Sequence, residues 1–257
     1  MENSLPLITA HAGCMNTPPN SIENALQGIQ AGADIIEVDV NATKDGVAVL
    51  FHDPYIRLDA HRKARIDELT FEELHAITAT SSLDSRPRPP KITRLGDVLD
   101  LVQRFRKTVN LDLKSPACLK PMAEAVRSRD MVDDVLISGC RKEHAVYVKQ
   151  RYPDFQVLLN ADESPADDSG YADYIARTCR DAIAAACCGI NMNYKDCRRE
   201  MLFYARLRCL PVLVWTVDTV EEMEKFIAAG VHSMTTNEVD TLFRFKEQMD
   251  SKNPEGQ

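Results

Sequence analysis

Short apolar runs alternate with amphipathic stretches along almost the whole chain. The apolar runs predict strands over Leu5–Ala10, Ile35–Val40, Val47–Phe51, Val109–Leu113, Val135–Ser138, Phe155–Leu159, a run that ends near Asn191, Pro211–Val217 and Val231–Thr235. The amphipathic stretches predict helices over Ser21–Ala31, Asp97–Lys107, Pro116–Arg129, Lys142–Arg151, Ala172–Ala186, Cys197–Leu207, Val220–Ala229 and Val239–Met249. A succession of about eight strand–helix units predicts a parallel sheet that closes into an α/β barrel.

One long polar segment, Pro54–Arg94, interrupts this alternation. It contains the proline-rich run Arg86–Pro90 and directly follows a His-Asp pair at the end of an extended segment. Long loops inside compact domains are usually functional, and the reacting groups of α/β barrels collect at the carboxyl ends of the strands. We therefore expect this segment to cover an active site. Residues 251–257 are expected to form a disordered tail.

Composition narrows the class of protein. The 257 residues include 31 Lys+Arg and 39 Asp+Glu, a formal charge of −8, and 44% are hydrophobic. This length and apolar content fit a single large globular domain, and the negative charge argues against nucleic-acid binding. The longest apolar run, Ala182–Cys188, is too short to span a membrane, so no membrane span is expected.

The cysteines and the first residues of the chain bear on location. The eight cysteines form no zinc-binding CxxC pattern, and Met1–Ser4 lacks the basic start of a signal peptide. Buried free thiols are therefore expected, together with a cytoplasmic location. The sequence predicts no oligomeric state.

Ionisable residues mark the ends of several predicted strands, namely His11, Glu37, Asp39, His52, Asp112 and Lys114. Residues i and i+2 of a strand share a face, so Glu37 and Asp39 point together. If they face the barrel interior with Asp112, three carboxylates offer the oxygen ligands that Mg²⁺ or Ca²⁺ prefers. Two histidines beside such an ion suit acid–base work on a phosphate ester. The alternative is a solvent-facing acidic strand with structural histidines.

A series of motifs extends this pattern in the same order along the chain. They are His11-Ala12-Gly13, Asn20-Ser21-Ile22-Glu23, Gly32 to Val40, Thr43-Lys44-Asp45-Gly46, His52-Asp53-Pro54, Leu69 to Leu74, Asn110-Leu111-Asp112-Leu113-Lys114, Val214-Trp215-Thr216-Val217-Asp218 and Gly230-Val231. Together they closely resemble the glycerophosphodiester phosphodiesterase family. The resemblance covers nearly the whole chain, from residue 8 to about residue 236.

The resemblance implies a TIM-type (β/α)8 barrel over residues 1–250 with a small inserted subdomain at about 53–108. It implies that Glu37, Asp39 and Asp112 hold one divalent cation, Mg²⁺ or Ca²⁺, with Mn²⁺ as a further candidate. His11 and His52 resemble the catalytic pair of the family, and Lys114 resembles its phosphate-binding lysine. Trp215 matches a position near the barrel mouth, where it either lines the substrate pocket or packs in the core.

Four positions depart from the usual family pattern. Ala12 stands where an arginine is usual, Pro19 where a glutamate is usual, Asp112 where a glutamate is usual and Asn237 where an aspartate is usual. At Ala12, either another cation, such as an arginine of the insertion, takes the place of the missing guanidinium, or the substrate carries a bulkier group.

The expected activity is the metal-dependent hydrolysis of a small glycerophosphodiester to glycerol 3-phosphate and an alcohol. Glycerophosphocholine and glycerophosphoethanolamine are examples of such substrates, so the expected partner is a small molecule. Two alternatives stay open: a related phosphodiesterase acting on a lysophospholipid or a sugar phosphodiester, and a degenerate barrel that binds a phosphorylated ligand without turning it over.

Overall fold

Residues 5–58, 61–80, 91–165 and 169–252 are described by the structure, a computed structural model. Their strands are β1 Leu7–Ala10, β2 Ile35–Ala42, β3 Ala48–Leu50, β4 Tyr55–Arg57, β5 Lys63–Arg65, β6 Thr93–Arg94, β7 Thr108–Leu113, β8 Val135–Cys140, β9 Gln156–Asn160, β10 Gly189–Asn193, β11 Val212–Trp215 and β12 Ser233–Thr236. Their α-helices are α1 Ile22–Gln30, α2 Phe71–Thr80, α3 Leu95–Arg104, α4 Leu119–Arg127, α5 Lys142–Arg151, α6 Tyr171–Ala184, α7 Arg199–Arg206, α8 Val220–Ala229 and α9 Val239–Lys252.

Eight parallel strands form a closed barrel in the order β1, β2, β7, β8, β9, β10, β11 and β12, and β12 pairs with β1 to complete the ring. The predicted TIM-type barrel is therefore confirmed. Strand β3 runs antiparallel to β2, and β6 runs antiparallel to β3, so these two short strands extend the sheet outside the ring. The main apolar core fills the space between the barrel and its surrounding helices.

Helix boundaries follow local signals closely. Helices α5 and α8 begin and end where the amphipathic pattern predicts. Ser21 caps the start of α1, because its side chain accepts a hydrogen bond of 3.0 Å from the backbone N–H of Asn24. The last helix is longer than predicted and extends to Lys252, while residues 253–257 of the expected tail lie outside the described part of the chain.

The segment predicted as a polar loop contains regular structure. Strands β4 and β5 form a hairpin, and helix α2 follows it. A small core separate from the main one holds these pieces together, formed by Val49, Ile56, Ile66, Phe71, Leu74 and Ile92. These apolar residues are widely spaced among charged residues. The sequence of this segment therefore shows no periodic apolar pattern from which their burial could be predicted. The proline-rich run at 86–90 lies outside the described residues.

Helix α3 follows this segment and packs against α1 and α4 of the barrel. Its residues Leu95, Val98 and Leu99 belong to the main core. Helix α3 is therefore part of the helical layer around the barrel, although it precedes strand β7 in the chain.

All eight cysteines lie in the described residues as free thiols. Six are buried, Cys188 is half-buried, and Cys209 is exposed, so the expectation of buried thiols is wrong for Cys209. Among the described helices, none combines the length and the apolar character that crossing a membrane requires.

Candidate active site

A cavity of about 370 Å³ lies at the carboxyl ends of the barrel strands. In α/β barrels this end carries the reacting groups. The seven residues that the sequence singles out all line it: His11, Glu37, Asp39, His52, Asp112, Lys114 and Trp215. No arginine of the described residues is part of its wall.

The three carboxylates come together because of strand register. Glu37 and Asp39 lie on the same face of β2, and Asp39 is the register partner of Asp112 on β7. Each residue offers an oxygen atom, and these oxygens lie within 4.8 Å of one another. Glu37 and Asp39 are buried, and Asp112 is half-buried.

Two residues near the start of the chain, Ala12 and Asn20, hold Glu37 and Asp39 of β2 in place. The backbone N–H of Ala12 donates to Glu37 Oε2 at 2.8 Å. The Asn20 amide makes two hydrogen bonds to Asp39. Its Nδ2 donates to Asp39 Oδ2 at 2.7 Å, and its Oδ1 accepts from the Asp39 backbone N–H at 2.9 Å. Ala12 is itself buried and is not part of the cavity wall. Its backbone therefore supports the site, and its side chain does not line the cavity.

Charge at this cluster is unbalanced. Lys114 Nζ lies 2.8 Å from Asp39 Oδ1 and 3.1 Å from Asp112 Oδ2, so one ammonium faces three carboxyl groups. Burial raises the pKa of Glu37 well above its ordinary value, and the charges of Asp39 and Asp112 raise it further. Burial likewise raises the pKa of Asp112. Burial opposes the charge of Lys114, but Asp112 and Asp39 outweigh it and raise the pKa of the lysine.

A divalent cation fits this cluster. Buried carboxylates are costly unless they are paired or bind a metal, and one lysine does not neutralise three of them. The donors are all oxygen atoms, which matches Mg²⁺ or Ca²⁺ better than zinc. The residues that could hold the ion are Glu37, Asp39 and Asp112.

A chain of hydrogen bonds fixes the orientation of His11. Asn237 Nδ2 donates to Asp218 Oδ2 at 2.9 Å, and Asn237 Oδ1 lies 2.9 Å from His11 Nδ1. A carboxylate only accepts, so the nitrogen of the Asn237 amide must face Asp218 and its oxygen must face the histidine. His11 Nδ1 therefore carries a proton, and Nε2 of the neutral ring is left with its lone pair.

His52 reaches the same cavity from outside the ring. It follows the antiparallel strand β3, and its side chain is 69% exposed. Its Nδ1 lies 2.8 Å from Asp53 Oδ1. The backbone just before it is anchored to β2, since the Phe51 N–H donates to the Asp39 carbonyl and the Phe51 carbonyl accepts from Asn41 Nδ2. The two histidines are thus held by different elements at one cavity.

The other side of the cavity is polar and uncharged. Its side chains come from β7 to β12 and are Asn110, Ser138, Asn160, Asn191, Trp215 and Thr235. Among the described residues, three buried side-chain atoms have no hydrogen-bond partner, and all three belong to this wall: Asn110 Oδ1, Ser138 Oγ and Trp215 Nε1. Buried polar atoms are usually paired, so this wall suits a ligand rich in hydroxyl groups.

Sequence reasoning identified Trp215 but missed Asn110 and Ser138. Asn110 carries a detectable signal, because it lies two residues before Asp112 and shares its face of β7. Ser138 has no such signal in its own strand, and only the register pairing with Asp112 brings it to the cavity.

Gly139 joins the two sides of the cavity. Its φ of +76° is in the left-handed region, and a Cβ atom at this position would overlap Asp112 Oδ1 and lie 2.5 Å from the Leu113 carbonyl oxygen. Its N–H donates to Asn160 Oδ1 at 2.9 Å. The absence of a side chain at 139 therefore leaves room for the third carboxylate.

These features define the class of the protein, a parallel α/β barrel with an acid-lined polar cavity at the carboxyl ends of its strands. The family model of the glycerophosphoryl diester phosphodiesterase family matches residues 11–241. The chain therefore belongs to that family.

Relatives and solved structures agree with this assignment. A glycerophosphodiester phosphodiesterase of Caldanaerobacter subterraneus subsp. tengcongensis is 26% identical over 92% of this chain and 96% of its own length. The fold is similar to the crystal structure of a putative glycerophosphoryl diester phosphodiesterase from Silicibacter pomeroyi, with a TM-score of 0.79 and 19% identity over 96% of this chain and 94% of that one. It is also similar to an Oleispira antarctica phosphodiesterase solved in complex with the product sn-glycerol-3-phosphate, with a TM-score of 0.74 and 18% identity over 95% and 97% of the two chains.

Proposed function

We propose that this protein is a divalent-metal-dependent phosphodiesterase that hydrolyses glycerophosphodiesters to glycerol 3-phosphate and an alcohol. The observation that carries the proposal is the meeting of three carboxylates, one lysine and two histidines at a single cavity. Family membership supports the reaction class. The free thiols support our proposal of a cytoplasmic location.

Glu37, Asp39 and Asp112 are proposed to hold the cation. When bound, a divalent cation supplies Lewis-acid stabilisation of the negative charge on the phosphate oxygens. Lys114 is proposed to bind the same phosphate, because its ammonium lies at the cavity wall between Asp39 and Asp112. No arginine of the described residues lines the cavity, so Lys114 is proposed for this role in place of an arginine.

His11 is proposed as the general base. Asn237 holds the proton on Nδ1, so Nε2 is free to take the proton of the attacking hydroxyl group as its oxygen bonds to phosphorus. The nucleophile is either water or a neighbouring hydroxyl of the substrate. In the second case a cyclic phosphate forms first and water then opens it.

His52 is proposed as the general acid. In the doubly protonated ring, Nδ1 donates to Asp53, and Nε2 has a proton for the alcohol oxygen when its bond to phosphorus breaks. One proton is taken by His11 and one is given by His52, so the reaction leaves the net protonation of the pair unchanged.

The uncharged wall is proposed to bind the glycerol part of the substrate. The two hydroxyl groups of glycerol both donate and accept hydrogen bonds, and they match the unpaired atoms of Asn110, Ser138 and Trp215. The Oleispira phosphodiesterase of the same fold was solved with sn-glycerol-3-phosphate, a ligand of this chemistry.

The test is phosphorus NMR of glycerophosphocholine and glycerophosphoethanolamine incubated with the protein and Mg²⁺, Ca²⁺ or Mn²⁺. We expect the signal of glycerol 3-phosphate in the presence of an ion and none in excess chelator. Release of phosphocholine would mean that the other P–O bond breaks, and it would contradict the assignment of the leaving group. Binding without turnover of these diesters, lysophospholipids or sugar phosphodiesters would support the binding-only alternative.

A further inference from the structure

A second, smaller cavity of about 100 Å³ adjoins the active-site cavity. It lies between the segment that leads into α4 and the side of α5, and its walls are largely apolar. Its own lining residues, apart from Ser115, are Pro116, Leu119, Cys140, His144, Tyr147 and Val148. Burial raises the pKa of the Cys140 thiol to about 12, so this thiol is uncharged at neutral pH. We call this cavity the side pocket.

The side pocket shares part of its wall with the active-site cavity. Leu113, Lys114 and Gly139 line both. Lys114 is the proposed phosphate ligand, so a phosphodiester bound there would have its two ester groups near the shared wall of the cavities. A group in the side pocket would therefore belong to the same substrate molecule as the phosphate.

The two cavities differ in the groups that they can accept. The uncharged wall of the active-site cavity leaves buried polar atoms of Asn110 and Ser138 unpaired, which suits glycerol. The side pocket offers few polar side chains beyond Lys114, Ser115 and His144. A polyol or a primary ammonium group would lose its water shell there without full replacement, whereas a methyl-rich group would not.

We propose that the side pocket binds the alcohol end of the phosphodiester and selects an alcohol with a compact, methyl-rich end, such as the trimethylammonium group of choline. This inference rests on the function proposed above and adds the identity of the leaving group. Arg151 already lies over the Tyr147 ring, 4.6 Å from its centroid. One face of the ring is thus occupied by a cation, and we assign the selection to apolar contact with the methyl groups.

Three diesters of glycerol 3-phosphate test this selection, with choline, ethanolamine or 3,3-dimethylbutanol as the alcohol. Ethanolamine lacks the three methyl groups of choline, and 3,3-dimethylbutanol keeps them but lacks the charge. We expect kcat/KM for the choline and dimethylbutyl diesters to exceed that for the ethanolamine diester by about tenfold or more, since each buried methyl group adds to binding.

The outcomes separate this inference from the proposed function. Equal kcat/KM for the choline and ethanolamine diesters would overturn the side-pocket inference and leave the phosphodiesterase activity standing. A preference for choline alone, with the dimethylbutyl diester as poor as the ethanolamine diester, would also overturn it, because charge would then be recognised. Hydrolysis of none of the three would overturn both.

Two variants place the selection at the side pocket. Tyr147 and His144 are exposed residues of α5, so Tyr147→Ala and His144→Trp leave the core intact. Tyr147→Ala removes an apolar wall and His144→Trp obstructs the pocket. Each should bring the choline-to-ethanolamine ratio of kcat/KM about threefold or more closer to one.

Tyr204→Ala is the matched control. Tyr204 on α7 packs under Arg208 four residues later, as Tyr147 packs under Arg151, but it lies outside both cavities. The ratio should stay at its wild-type value in this variant. An unchanged ratio in both α5 variants would overturn the inference, as would an equal fall in the control.

Discussion

The two sides of the active-site cavity differ in charge and in how their polar groups are paired. On the side formed by β2 and the end of β7, charged groups hold one another in place: Asn20 clamps Asp39, and Lys114 bridges Asp39 and Asp112. On the side formed by β8 to β12, together with Asn110 of β7, uncharged groups leave buried atoms unpaired. The charged side is organised before any ligand arrives, as chemistry requires, while the uncharged side keeps its hydrogen-bonding capacity for a ligand.

The charged side should show the largest effect on activity and an opposite effect on stability. Glu37→Gln keeps the size of the side chain and removes a charge that the ion needs, so we expect kcat/KM to fall about 10⁴-fold, the equivalent of several kcal/mol. The folded protein raises the pKa of Glu37, which means that at neutral pH the ionised carboxylate costs stability. The ion-free variant should therefore melt at a temperature no lower than that of the ion-free wild type.

Calorimetry of both proteins in chelator measures the melting temperatures, and assays in added Ca²⁺ or Mg²⁺ measure kcat/KM. The matched control is Glu224→Gln on the exposed surface of α8, which should change neither quantity. Full activity in Glu37→Gln would mean that the carboxylate cluster is structural.

The histidines should come next. Replacing either His11 or His52 with Ala should lower kcat about 10²- to 10⁴-fold, the range for loss of a general acid or base. The double variant should lose much less than the product of the two single losses, because the two act in one proton transfer sequence. Ion binding, measured by titration calorimetry, should survive since the carboxylates remain. A histidine whose loss leaves turnover near normal in a folded protein has a structural role only.

A smaller effect is expected where the two sides meet. Gly139→Ala places a methyl group against Asp112 Oδ1 and should weaken divalent-ion affinity about 10- to 100-fold. Gly230→Ala is the matched control, because Gly230 has the same φ of +76° with open space around its Cβ direction. Both variants bear the backbone strain of a left-handed alanine, and only the first should change the dissociation constant of the ion. Equal ion affinity in the two would show that Asp112 does not depend on Gly139.

The uncharged side should give the smallest change. Ser138→Ala removes an unpaired hydroxyl, so KM for glycerophosphodiesters should rise about 2- to 10-fold, kcat should hold, and stability should not fall. Ser233→Ala is the contrasting control: its buried hydroxyl pairs with Thr9 Oγ1 and the Leu7 carbonyl, and it lies outside the cavity wall. That variant should lose stability and keep its KM. A Ser138→Ala variant that loses stability without a change in KM would make Ser138 a structural residue.

Sequence reasoning reached the barrel and the charged side because both rest on local patterns. Alternating runs predict the strands and helices, and the i, i+2 spacing places Glu37 beside Asp39. It did not reach groups that meet only through the closed ring. Asn237 and His11 are 226 residues apart in the chain, and their contact exists because β12 pairs with β1.

The inserted segment shows the same limit. Because the segment is polar overall, its small core was not predicted. Ile56 and Leu74 belong to this core although they are well separated in the sequence. No role was predicted for Asn20, because nothing in the sequence around it indicates a contact with Asp39. Sequence-based prediction therefore reached the strands and helices of the barrel and the paired acids, but it missed the strands and the helix of the inserted segment and the partners brought together by topology.

An ion on the charged side is proposed to be required for the hydrolysis of glycerophosphodiesters. The most direct measurement strips the protein with chelator, restores Ca²⁺ or Mg²⁺ in steps, and determines bound ion per chain and turnover of glycerophosphocholine in the same samples. We expect turnover to be absent at the start and to rise in proportion to occupancy until one ion is bound per chain. Full turnover in the stripped protein, or an occupied site with no turnover of any glycerophosphodiester, would contradict it.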